Sequence, residues 1–179
     1  MNIKAHLDAF YAEADPWQYD TTPDDQTRKD RLLSLLPRRD FKRVLDIGCG
    51  NGFLTVDLPG EEVVGLDISE RAIDWARARA ALRPDANRFQ FHARSLFETS
   101  ADDLGDFDLI VIAGVLYPQY IANGFVAVQL IVDNLLRPAG VLASLHIEEC
   151  SPHRFGYTLL DASYYDYREY SHRLEVYLK

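Results

Sequence analysis

The sequence predicts a doubly wound α/β fold: a mostly parallel, seven-stranded sheet with helices on both faces and an antiparallel C-terminal hairpin strand. Three observations carry this. Apolar runs of strand type alternate with helical spacings between residues 43 and 147. The run 107–116 is nearly all apolar past Asp108, as a central parallel strand buried on both faces must be. Finally, Val44-Leu45-Asp46-Ile47-Gly48-Cys49-Gly50-Asn51-Gly52 takes an apolar strand directly into a glycine loop. The missing Cβ atoms there let the chain turn tightly and let a ligand lie against the backbone.

Taken in order, Ile3, Leu7, Phe10 and Tyr11 have helical spacing over 3–13, and Pro16 ends that helix. Thr22 before Pro23 is an N-cap followed by proline at the first helical position, and Asp24 and Asp25 suit the positive start of a helix running to Leu36. A strand at 43–47 leads through the glycine loop to a short helix at 51–58, then to a strand at 62–67. Ser69 caps a helix at 70–82, with Ile73, Trp75, Ala76, Ala80 and Leu82 available to pack. A strand at 88–93, the strand 107–116, a helix at 123–136 stopped by Pro138-Ala139-Gly140, and a strand at 141–147 complete the alternation. Past 157 the period becomes two (His172, Leu174, Val176 and Leu178 against Arg173, Glu175 and Tyr177), which reads as a hairpin at a sheet edge. One domain spanning 1–179 is expected, with ligand chemistry past residues 47, 67, 93, 114 and 147, beside the switch between the first strand and strand 107–116.

Composition narrows the function. Lys plus Arg is 19 against 28 for Asp plus Glu, a net charge of −9, which argues against nucleic acid and anionic membrane as partners. The Arg38, Arg39, Lys42, Arg43 group is read as a solvated loop. Two distant cysteines fit a reduced, cytoplasmic setting, and no apolar run reaches the roughly 20 residues that span a bilayer. The start of the chain does not have the pattern of a signal peptide.

Asp67 closes the second apolar run, Val63-Val64-Gly65-Leu66, where a carboxylate would hold a ribose. A nicotinamide cofactor wants G-x-G-x-x-G, but Phe53 stands where the third glycine belongs. Asp46 before the loop would also repel a pyrophosphate, and suits a ligand with a positive end.

With these motifs the chain resembles the class I S-adenosylmethionine-dependent methyltransferases over about residues 40 to 149. The run 44–52 matches that family's first motif and Gly65-Leu66-Asp67-Ile68-Ser69 its second. Phe107-Asp108-Leu109-Ile110-Val111 and the turn 135–142 are similar to its later ones. Asp15-Pro16-Trp17-Gln18-Tyr19 is similar to the nodulation N-methyltransferase group.

The resemblance implies S-adenosylmethionine as cofactor, S-adenosylhomocysteine as product, and a small-molecule acceptor. It implies that Asp67 accepts from the ribose hydroxyls and that Gly48 and Gly50 let the backbone touch the methionine moiety, which Asp46 orients. By the same likeness Ala113 and Gly114 offer carbonyls to the amino group and Ile68 packs on adenine. It also implies a helical lid over 1–38 that includes Trp17, a cofactor-binding core over 39–149 and a hairpin over 150–179. Where the family often has an acid after the third strand, this chain has Arg94-Ser95-Leu96, so Ser95 and the Leu96 N–H are the adenine candidates.

Methyl transfer to an amine or hydroxyl also needs a destination for a proton. His146 is the base candidate by residue type and Tyr117 the second, with a core histidine and a packing tyrosine as equal alternatives. His146, Glu148, Cys150 and His153 lack a tight ligand pair, so no metal is expected. Tyr164, Tyr165, Tyr167 and Tyr170 read as a strand face. Two rival functions are a nicotinamide-dependent oxidoreductase, disfavoured by the glycine spacing, and a cofactor-binding partner subunit without turnover.

Overall fold

The computed structural model describes residues 2–179. Seven strands form one sheet in the order β3-β2-β1-β4-β5-β7-β6. The strands are β1 (Arg43–Ile47), β2 (Glu62–Asp67), β3 (Phe89–Ala93), β4 (Phe107–Ala113), β5 (Leu136–Ile147), β6 (Thr158–Tyr167) and β7 (Tyr170–Leu178). β1 pairs in parallel with β2 and β4, β2 with β3, and β4 with β5. β7 inserts antiparallel between β5 and the edge strand β6. The sequence order reverses between β1 and β4, and this is the switch point that opens a crevice at the carboxyl ends of the strands.

Among the described residues six helices surround the sheet: α1 (Ile3–Phe10), α2 (Pro23–Leu35), α3 (Glu70–Ala81), α4 (Ala101–Leu104), α5 (Pro118–Ile121) and α6 (Phe125–Leu135). On one face Leu45, Ile47, Val64, Ile110, Ile112 and Leu142 pack against Phe125, Val128, Val132 and Leu135 of α6. On the other, Val44, Leu109, Val111, Val141 and Leu145 pack against Leu32 and Leu36 at the end of α2. α3 buries Ile73, Ala76 and Ala80 against Phe91 and Cys49. Gly65 permits this contact, since a Cβ there would lie 2.7 Å from the Phe91 ring.

Local chemistry sets the ends. Ser69 Oγ accepts from Ala72 N at 3.2 Å and caps α3. Pro23 begins α2 as expected, but the Thr22 side chain makes no cap bond. Leu36 is extended, as the residue before Pro37 should be.

Two expected elements differ. The short helix at 51–58 is a loop with a single 3₁₀ turn, Thr55–Asp57. β5 begins at Leu136 rather than 141, because Leu136 pairs with Phe107 and Val141 with Leu109. The extra residues, including Pro138 and Ala139 at φ 58°, form a bulge that lets proline sit in the strand.

Candidate functional site

A cavity of about 940 Å³, counting its open mouth, lies over the switch point. Its floor is the ends of β1, β2 and β4, with Ile47, Gly48, Leu66, Asp67, Ala113 and Gly114. Ile68, Arg94, Ser95, Leu96 and Phe97 wall the β2–β3 side. Ile3, Leu7 and Tyr11 with Trp17 and Tyr19 cover it, and Val115, Tyr120 and Ile121 close the β4 side.

Asp67 is the only carboxylate of the lining among the described residues. It is held by two backbone donors: Gly50 N donates to Oδ2 at 3.0 Å and Ser69 N to Oδ1 at 2.9 Å. Burial raises its pKa, and those two amides pull it back toward the ionised form. Each carboxylate oxygen keeps acceptor capacity for a ribose hydroxyl.

Two glycines open the floor. Gly48 at φ +76° lies so close under Val115 that a Cβ would come within 2.1 Å of its Cγ2. Gly114 at φ +71° faces open space, with nothing within 4 Å of where a Cβ would stand. A backbone cradle, one fixed carboxylate and flat apolar walls suit a nucleoside with an amino-acid arm, and the rings of Tyr11, Trp17, Tyr19 and Tyr120 suit a positive centre.

The roof is pinned at its rim. Asp8 accepts from Ser69 Oγ at 2.7 Å, Trp75 Nε1 donates to Tyr11 O at 3.1 Å, and Asn51 Nδ2 donates to Ala14 O at 2.8 Å. Arg79 forks onto Asp20 at 2.9 and 2.7 Å. Of the lid expected over 1–38, only the stretch through Tyr19 reaches the cavity; α2 is a layer helix on the sheet face.

Of the candidates named from the sequence, Gly48, Asp67, Ile68, Ser95, Leu96, Ala113, Gly114 and Trp17 line this one cavity. Four other candidates do not line it. Asp46 points to the opposite sheet face, 2% exposed, where Thr55 Oγ1 donates to it at 2.6 Å. Gly50 lies beneath Tyr11, whose hydroxyl would be 2.6 Å from a Cβ, and contributes through its N–H to Asp67.

The two catalytic candidates need correction. His146 is 1% exposed on the α6 face of β5, with Nδ1 3.1 Å from Ser144 Oγ and Nε2 unpartnered among the described residues. Burial and the Arg173 charge push its pKa down to about 3, and it borders no part of the cavity. Tyr117 is spent on structure: its hydroxyl accepts from Ile147 N at 3.0 Å, and burial pushes its pKa up to about 12.

Sequence reasoning missed Ile3, Leu7, Arg94 and Phe97. The first two were read only as a helical face, and the last two lie in a segment without periodicity. Among the described residues no group of His, Cys, Asp or Glu is placed to hold a metal, and no helix is long and apolar enough to cross a membrane.

Known proteins resemble this chain in sequence and in fold. A family model described as "Methyltransferase domain" matches residues 39–165. The ubiquinone biosynthesis O-methyltransferase of Aromatoleum aromaticum is 39% identical over 71 residues, 38% of this chain and 30% of that protein. The tRNA U34 carboxymethyltransferase of Pseudoalteromonas translucida is 36% identical over 124 residues, 66% of this chain and 37% of that protein. The chain therefore spans about a third of the length of these curated relatives. The N-methyltransferase NodS of Bradyrhizobium japonicum, solved with S-adenosyl-L-homocysteine, superposes with a TM-score of 0.81 at 24% identity, covering 100% of this chain and 99% of that one.

Proposed function

This chain belongs to the methyltransferase-domain family of class I S-adenosylmethionine-dependent enzymes, and from that premise we propose that it methylates a small-molecule acceptor at the cavity over the switch point. The observation that carries the proposal is Asp67, fixed by the amides of Gly50 and Ser69 at the edge of a roofed cavity. In this reading Asp67 holds the ribose, Ile68 and Leu96 enclose the adenine, and the backbone at Gly48, Ala113 and Gly114 receives the methionine arm. The sulfonium, when bound, supplies an electrophilic methyl group.

The chain's own contribution is positioning and exclusion of water. α1, Trp17 and Tyr19 cover the crevice, and Tyr120 narrows the side from which an acceptor enters. Apart from Asp67, the described lining residues offer no carboxylate or imidazole to take a proton. An amine suits that lining better than a hydroxyl, because its lone pair attacks first and the proton leaves to solvent afterwards. The roof, a net charge of −9 and a lining whose one cation among the described residues is Arg94 favour a small acceptor over RNA, although some relatives act on RNA.

Calorimetric titration with S-adenosylhomocysteine tests the cofactor half. Wild type should bind, and Asp67→Ala should lose at least tenfold in affinity, as for a hydrogen bond to a charged group. Absent heat in wild type, or equal affinity in the variant, defeats the reading. The acceptor half is tested by tritiated-methyl transfer to panels of amines, hydroxyl compounds and bulk RNA; label in RNA alone would overturn the small-molecule assignment.

A further inference from the structure

The two amides that hold Asp67 belong to residues that also seat the roof. Gly50 N donates to Asp67 Oδ2 at 3.0 Å. The same Gly50, at φ +53°, makes room for Tyr11: a Cβ there would stand 2.6 Å from the Tyr11 hydroxyl oxygen and 3.6 Å from its Cζ. The hydroxyl is therefore the atom that needs the missing side chain. Tyr11 is held at both ends, since Trp17 Nε1 donates to its hydroxyl at 3.2 Å and Trp75 Nε1 donates to its carbonyl at 3.1 Å. Ser69 repeats the arrangement at the other carboxylate oxygen. Its N–H donates to Asp67 Oδ1 at 2.9 Å, and its Oγ donates to Asp8 Oδ1 at 2.7 Å while accepting from Ala72 N at 3.2 Å. Ser69 is fully buried, and its hydroxyl is the main cause holding the Asp8 carboxyl below the usual carboxylate range.

Each oxygen of Asp67 is thus one residue away from a roof contact: Tyr11 through Gly50, and Asp8 through Ser69. Lifting the roof frees the two chain segments that present those amides. Asp67 would then lose the two largest offsets to the burial that raises its pKa. We infer that Gly50 and Ser69 are positioning residues that join the roof to the ribose carboxylate, so that closing the roof and fixing Asp67 are a single event. The inference rests on the proposed cofactor site. It gives Gly50 a role that the motif alone does not, because the space a Cβ would fill is taken by Tyr11 rather than left open to a ligand. Residues in one hydrogen-bond network respond non-additively to substitution, whereas independent pins add.

The test is calorimetric titration of the full chain with S-adenosylhomocysteine. Gly50→Ala should lose at least about tenfold in affinity, as overpacking against Tyr11 requires. Adding Tyr11→Phe removes the struck oxygen and should return the affinity to within about threefold of Tyr11→Phe alone. The backbone cost at φ +53° remains in the double variant, so a rescue reports relief of the collision. Asp8→Ala cuts the second seat at a partly exposed residue. It should lose at least about threefold in the wild-type background and much less where Asp67→Ala is already present. Asp20→Ala cuts a roof pin that shares no residue with the donors to Asp67, and should lose the same factor in both backgrounds. Thermal melts verify folding of each variant, and if Gly50→Ala does not fold the Asp8 cycle decides. With wild type still binding, an absent rescue by Tyr11→Phe, or an Asp8→Ala loss equal in the two backgrounds, overturns the inference and leaves the cofactor site standing. Failure of wild type to bind defeats the cofactor site itself and the inference with it.

Discussion

Asp46→Asn removes a carboxyl whose pKa the fold raises to about 7. Burial is the main cause; the Asp67 charge adds to it and the Thr55 hydrogen bond opposes it. Between the ordinary carboxylate value and 7, the folded chain keeps a proton that the unfolded chain has released. Wild type therefore loses stability as pH rises through that window. From pH 5 to pH 8 the loss assigned to Asp46 is about 2–3 kcal/mol. Two buried histidines act in the opposite sense. The pKa values of His146 and His172 are pushed down to about 3 and about 4. The unfolded chain takes up protons that these groups refuse, so they add stability as pH rises toward the ordinary histidine value. The wild-type curve alone mixes these effects, whereas the difference between variant and wild type isolates Asp46. Urea denaturation of both proteins without ligand at pH 5, 6, 7 and 8 should show the variant gaining about 2–3 kcal/mol relative to wild type across the series. A difference that stays flat with pH would refute the assignment of this proton to Asp46.

Two further substitutions probe the frame of the site. Gly48→Ala must place a side chain at φ +76° and against Val115, whereas Gly114→Ala meets only its backbone cost at φ +71°. Thermal melts should show Gly114→Ala losing about 1–2 kcal/mol and Gly48→Ala more; equal losses would mean that Val115 yields freely. Asp25, 0% exposed, accepts from Tyr167 Oη at 2.6 Å and pairs with Arg168 at 2.8 Å, tying α2 to the turn of the β6–β7 hairpin. Asp25→Ala should cost roughly 3 kcal/mol in denaturant midpoint experiments, because it leaves the partly buried Arg28 and the Tyr167 hydroxyl without their carboxylate; a loss below about 1 kcal/mol would show that this network is replaceable.

The frame was legible because its signals are local. β1 and β2 fall where the apolar runs end, Ser69 caps the helix that it was expected to cap, and the change to period two past 157 marks the hairpin. Thr22 failed as a side-chain cap although its residue type suits one, since proline and the acidic first turn suffice to start α2. The stretch 51–58 has helix-compatible residues, yet the glycine loop must first turn under Tyr11 and α3, and only Thr55–Asp57 winds. The bulge at 137–140 answers to the neighbouring strand β4, which no local pattern in β5 records.

The site divides along the same line. Positions that border the cavity at the end of a strand, Gly48, Asp67, Ala113 and Gly114, were readable because a strand's end is a position in sequence. Side-chain roles at those ends were not, because one residue of register decides which face receives a group. Asp46 and Ile47 are neighbours, and only Ile47 borders the cavity, while Asp46 turns to Thr55 on the far side. His146 shares its face with Leu142 and Ser144 and is buried with them, so residue type selected it as a base while the pleat carried it beneath the site. The roof depends on contacts far apart in sequence. Ile3 and Leu7 read as an ordinary helical face, and no residue of α1 is buried; what points them at the cavity is a set of hydrogen bonds from residues 8–20 to α3 and Asn51. On the proposed function, selectivity for the acceptor therefore falls to the part of the chain whose local pattern says least, and the donor's seat to the part whose pattern says most.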